Sequence, residues 1–135
     1  MKNLRKQLHS FKKDVNQYVV QCKIKLAQEV LSAVVMATPV DTSKALSNWI
    51  VSLRRGSSKI TDAHFLGSYG STFAASAGQT VALGDAVIKN VKIGETIFIT
   101  NNVNYIELLN KGWSKQAPSG FIEQQFNNAV KRVKL

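Results

Sequence analysis

Between Leu4 and Ala37 the apolar residues fall at unbroken steps of three or four: Leu4, Leu8, Phe11, Val15, Tyr18, Cys22, Leu26, Val30, Ala33 and Ala37. That spacing marks one face of a continuous α-helix. At about 1.5 Å per residue the helix is roughly 50 Å long, more than the width of a small domain, so one end projects or packs on another subunit. The first half is the candidate projection. Residues 1–25 carry Lys2, Arg5, Lys6, Lys12, Lys13, Lys23 and Lys25 against Asp14 alone, whereas 26–37 is almost uncharged and apolar on several faces. The second half therefore reads as core. Because the stripe also steps like a heptad, packing between subunits competes with burial inside the chain.

With 135 residues the chain fits a single domain, 1–135. Its 18 Lys and Arg against 8 Asp and Glu give a net charge of +10, which favours a polyanion or an acidic protein surface as neighbour. The excess is uneven. Seven bases and one acid put +6 on residues 1–25, and Lys131, Arg132 and Lys134 add +3 at the other end, leaving 26–130 close to neutral. Lone Cys22 excludes an internal disulfide and points to a reducing compartment. The N-terminal MKNLRKQLHSFKKD lacks the apolar run of a signal peptide, and the stretch from Val30 to Val40 falls short of the roughly 20 residues a membrane span requires. The expectation is a protein made in the cytoplasm with no membrane partner.

Thr38-Pro39 closes the long helix, since the residue before proline leaves the α region and proline lacks the next donor. Asp41 or Thr42 offers a cap for a short turn through Leu46. Trp49 to Leu53 reads as a strand with Trp49, Val51 and Leu53 on one face. Residues 56–79, rich in Ser, Gly and Ala, carry no assigned element and read as a flexible loop. Thr80 is the expected cap of a helix bearing Val81, Gly84, Ile88 and Val91, stopped by Gly94. Glu95 to Asn101 reads as a second strand, Asn104 to Asn110 as a short helix ended by Lys111-Gly112, and Ser119 as the cap of a final helix through Val133. The fold class is α+β: a long N-terminal helix, a small antiparallel or mixed sheet, and a C-terminal helix on one face.

Catalytic chemistry finds little footing in these residues. A nucleophile needs a base within reach, yet His9 sits on the charged helix and His64 in the Ser/Gly-rich middle, neither with a suggestive neighbour. The carboxylates are dispersed without metal-ligand spacing, and Gly67, Gly70 and Gly78 fit no phosphate-loop pattern. Cys22, on the stripe, reads as a small core hydrophobe. No enzyme activity, cofactor or metal is expected.

Two segments are more particular than their physical roles demand: TPVDTSKALSNW at Thr38–Trp49 and IFITNNVNYIELLNKGWSKQAPSGFIE at Ile97–Glu123. Together they resemble the tail-completion or neck (head-tail joining) proteins of tailed bacteriophages, which show a PVDTG-like turn leading to an NW pair and, later, a GWS-x-QAP-x-G segment before a closing helix. Ser43 departs from that pattern by standing where the family usually has glycine. A positive φ there would place strain on a side chain. The resemblance implies a non-enzymatic virion protein forming a homo-oligomeric ring in the neck or at the head-proximal end of the tail. Other neck and tail proteins are the implied partners, with transient contact to genomic DNA.

The candidate interface is Asp41, Asn48, Trp49, Trp113, Ser114, Lys115, Gln116 and Pro118. Lys2, Arg5, Lys6, Lys12 and Lys13 are the candidates to face DNA or an acidic partner. The alternative is a nonspecific nucleic-acid-binding protein that uses the basic helix to neutralise phosphates.

Overall fold

The computed structural model describes residues 2–133; the side chain of Lys2, and Lys134 and Leu135 of the basic C-terminal tail, lie outside the described residues. The elements run α1 (Lys2–Ala37), α2 (Lys44–Ser47), β1 (Ile50–Leu53), α3 (Phe73–Ile88), β2 (Ile97–Thr100), α4 (Ile106–Asn110) and α5 (Phe121–Arg132). The fold is α+β, as the sequence predicts. Strands β1 and β2 form a two-stranded antiparallel sheet with Ile50 opposite Thr100 and Leu53 opposite Ile97. Both predicted strands are therefore present, each shorter by one residue or more at its ends.

The core sits where the second half of α1 meets α3 and β1. Leu31, Val34 and Val35 from α1 pack with Leu46, Trp49, Val51, Ala77 and Ile88. Glycine is required at the closest approach: a Cβ on Gly84 would lie 2.3 Å from Leu31 Cδ2 and 2.9 Å from Val51 Cγ2. A second, smaller cluster joins Val30 and Ala33 of α1 to Ala129 of α5. Phe121 lines one cleft with Met36 to Thr38, and Arg132 pairs with Glu29 at 3.6 Å, so α5 runs back along the last quarter of α1.

Expectations about where three helices begin and end are corrected. Helix α3 begins at Phe73, inside the segment expected to be a flexible loop, and ends at Ile88 rather than at Gly94. Thr80 is thus no cap; its hydroxyl lies inside the helix and donates to Ser76 O at 2.7 Å. The cap of α2 is Ser43, not Asp41 or Thr42, and the cap of α5 is Gly120, not Ser119. Both caps are left-handed, with φ of 70° and 76°, so a backbone conformation fixes each helix start and no side-chain cap is made. Ser43, which stands where the resembled family has glycine, is one of the non-glycine residues with a positive φ. It is buried, and its hydroxyl sits 2.9 Å from Thr72 Oγ1, an interaction that offsets part of the strain.

Residues 56–72 have no helix or strand but are laced to the body by side chains. The Asn102 amide donates to Ser57 O and Lys59 O, the Ser47 hydroxyl accepts from His64 N, and the Ser76 hydroxyl of α3 accepts from Phe65 N.

Candidate functional site

The residues singled out in the sequence separate into three groups in space. Asn48 and Trp49 turn inward. Asn48 is fully buried; its amide donates to Lys44 O and Thr61 O at 2.8 Å each, and its Oδ1 accepts from Thr61 N at 2.8 Å. That set nearly exhausts what one carboxamide can make, so Asn48 fixes the loop at Thr61 and offers no group to a neighbour. Trp49 is buried too, with Nε1 donating to Thr38 Oγ1 at 2.7 Å, and Thr38 in turn donating to Val34 O. The structure thus removes both from the candidate interface: the NW pair ties the end of α1 to the loop and the sheet.

The remaining interface candidates lie at one surface. The Gln116 side chain clamps the backbone of Val40, accepting from its N at 2.8 Å and donating to its O at 3.1 Å. This pairing imitates a strand partner across 76 residues of sequence. It joins the two segments that carry the resemblance, and Asn101 adds a second tie by donating to Ala45 O at 2.8 Å. Asp41 is exposed and accepts Tyr69 N at 2.7 Å, while its own carbonyl accepts Gly70 N. Ser114 accepts the Gln116 N–H, and Trp113, Lys115 and Pro118 are exposed. Trp113 is the outstanding one, a large ring 74% in solvent.

A cleft of about 490 Å³ opens where Gln116 and Pro118 meet the end of α1, lined by Met36, Pro39, Tyr69, Gln116, Pro118 and Phe121 among others. Tyr69, 96% exposed, and Met36 on its rim were not among the sequence candidates. Neither falls within a segment that carries the resemblance. On the opposite side of the same loop, the Asn110 amide donates to both Glu123 oxygens, at 3.0 and 2.9 Å. This pairing holds the Glu123 carboxyl below its usual range. Asn110 Oδ1 also accepts Ile122 N, which supplies the start of α5 with the side-chain acceptor that Ser119 does not provide.

The third group is the arm, the first half of α1. Arg5, Lys6, Lys12 and Lys13 are all exposed, and among the described residues their side chains make no ion pair or hydrogen bond. The apolar stripe beside them is exposed as well: Leu8 is 58%, Phe11 66% and Tyr18 58% in solvent. The Lys92–Ile93 turn of the body shares a groove with Lys12 and Lys13 and, further along the arm, with Asn16 and Val20. At 100° per residue Asn16 and Val20 sit on the face opposite the stripe. Lys23 marks the junction with the body, donating its ammonium to the Glu95 carbonyl.

Among the described residues no group of three His, Cys, Asp or Glu could hold a metal ion, and no helix is long and apolar enough to cross a membrane. No family model, curated protein or solved structure matches the chain.

Proposed function

We propose that the chain is a non-enzymatic structural subunit of a tailed-bacteriophage virion, assembling as a homo-oligomeric ring in the neck or at the head-proximal end of the tail. One observation carries the reading. The two segments that resemble the neck and tail-completion family, Thr38–Trp49 and Ile97–Glu123, interlock through the Gln116–Val40 and Asn101–Ala45 hydrogen bonds. They form one unit that leaves Trp113, Lys115 and Pro118 on the surface, with Pro118 lining the same cleft as Tyr69. An exposed indole and, on the cleft, an exposed phenol are side chains that interfaces favour, because each covers much area at small entropic cost.

The test is stoichiometry and shape. Purified virions analysed by quantitative mass spectrometry should contain the chain in a fixed, ring-like copy number, and the isolated protein should form closed rings under the electron microscope. Trp113→Ala should abolish those rings. Absence from intact particles would overturn the proposal.

A second reading rests on the exposed bases of the arm. A nonspecific nucleic-acid binder would show duplex affinity that falls steeply with salt, and Gln in place of Lys2, Arg5, Lys6, Lys12 and Lys13 would abolish it. No binding to duplex DNA at low salt would dismiss that reading.

A further inference from the structure

The arm combines two features that phosphate binding alone does not require: a heptad-spaced apolar stripe and a one-sided distribution of charge. Leu4, Leu8, Phe11, Val15, Tyr18 and Cys22 step by four and three in strict alternation, the repeat that suits a second helix laid alongside. On the other half of α1 the continuation of this stripe, Val30 and Ala33, is covered by α5. Among the described residues α5 ends beside Glu29, and the stripe on the arm, Leu4, Leu8, Phe11, Val15 and Tyr18, is exposed.

The flanks of the stripe differ. On one side stand Arg5, Lys12 and Val19, with Lys6 and Lys13 behind them; on the other stand Gln7, Asp14 and Gln21. A second copy of the arm answers these charges poorly. Parallel pairing sets Gln7 against Lys12 and Asp14 against Val19, and antiparallel pairing with the stripes fully overlapped sets Lys12 against Lys12. Neither arrangement places a carboxylate opposite Arg5 or Lys12, and each arm brings a like charge of +6 over residues 1–25. A phosphate backbone would satisfy the bases but leave Leu8, Phe11 and Tyr18 in water.

We infer that the arm is a docking site for an acidic amphipathic helix of another protein, its apolar ridge on Leu4–Tyr18 and its carboxylates facing Arg5 and Lys12, laid on the line that α5 follows further along α1. The site lies on the arm alone and does not depend on ring formation through Trp113.

The experiment uses the full chain and three labelled synthetic peptides about three heptads long. One has Leu at the core positions and Glu at the flanks, the second has Lys in place of Glu, and the third is a scramble of the first. Fluorescence anisotropy should show the Glu peptide binding about tenfold or more tightly than the Lys peptide, with the difference shrinking as salt rises. Phe11→Asp should lose binding with the melting temperature unchanged, since Phe11 lies in solvent. Arg5→Glu with Lys12→Glu should reverse the preference between the two charged peptides.

Equal binding of the Glu and Lys peptides, or binding that survives Phe11→Asp, overturns the inference. So does a dimer in sedimentation that Phe11→Asp dissolves, which would assign the stripe to a second copy. Failure of the Glu peptide together with salt-sensitive binding of duplex DNA would overturn it in favour of phosphates.

Discussion

The two halves of α1 share one helix, one stripe and nearly the same spacing, yet they do opposite things. From Ala27 onward Leu31, Val34 and Val35 lie almost entirely out of solvent, whereas Leu8, Phe11 and Tyr18 stand more than half exposed. What differs is how many faces are apolar. The arm has a single narrow stripe bordered by charge, the pattern of a helix meant to meet one partner helix. The buried half is apolar towards α3 on one side and towards α5 on another, which is what a helix in a domain core requires. Stripe continuity shows where the helix runs, and stripe width shows which half the chain itself covers.

Truncation of matched residues should break the symmetry most strongly. Leu31→Ala removes a side chain enclosed between α1, α3 and β1 and should cost about 2–5 kcal/mol in denaturant unfolding. Phe11→Ala, on the arm, should change the same quantity by no more than about 0.5 kcal/mol. Similar losses for the two would mean that the arm is part of the cooperative core.

Asn48→Ala comes next. It strands the Thr61 N–H and carbonyl in a part-buried site and should cost about 2–3 kcal/mol, with amide exchange at Thr61 accelerated. Gln116→Ala releases Val40 at a partly open surface and should cost about 1 kcal/mol, accompanied by faster exchange at Val40 and loosening of the 113–119 loop.

The smallest effect concerns pH. Partial burial lowers the pKa of His64, offset in part by a hydrogen bond to the Ser47 backbone. The folded chain then binds fewer protons there than the unfolded one, so stability is fully present above the ordinary histidine value of about 6.5 and declines as pH falls below it. His64→Gln should flatten that part of the stability–pH curve, and an unchanged slope would assign it to another group.

The sequence conveyed some of this architecture plainly. Leu4 to Ala37 was readable because no proline or glycine interrupts the stripe before Pro39, and β1 and β2 because their β-branched and aromatic runs are bounded by turn residues. The first half of α3 was hidden for a physical reason. Its buried positions Ser76, Ala77, Thr80, Gly84 and Ile88 step correctly, but most are small or polar, so a search for apolar periodicity passes over them. The shape of Gly84 against Leu31 shows why they are small: α3 packs too close for larger side chains.

The helix starts at Ser43 and Gly120 were missed because left-handed caps depend on backbone conformation, and nearby Asp41, Thr42 and Ser119 advertise side-chain caps that are not made. At the candidate site, Gln116 and Trp113 stood out only as part of a motif. That Asn48 faces inward depends on Thr61, thirteen residues away in a segment without regular structure, and no local pattern announces that contact.

Hydrogen exchange of the full chain, read by mass spectrometry with and without the Glu-flanked peptide, tests the central claim most directly. In the free chain, amides of residues 5–19 should exchange far faster than those of 27–36, and the peptide should slow exchange in the arm alone. Equal protection of the two halves in the free chain, or protection by the peptide that falls on the body and spares the arm, would contradict the account.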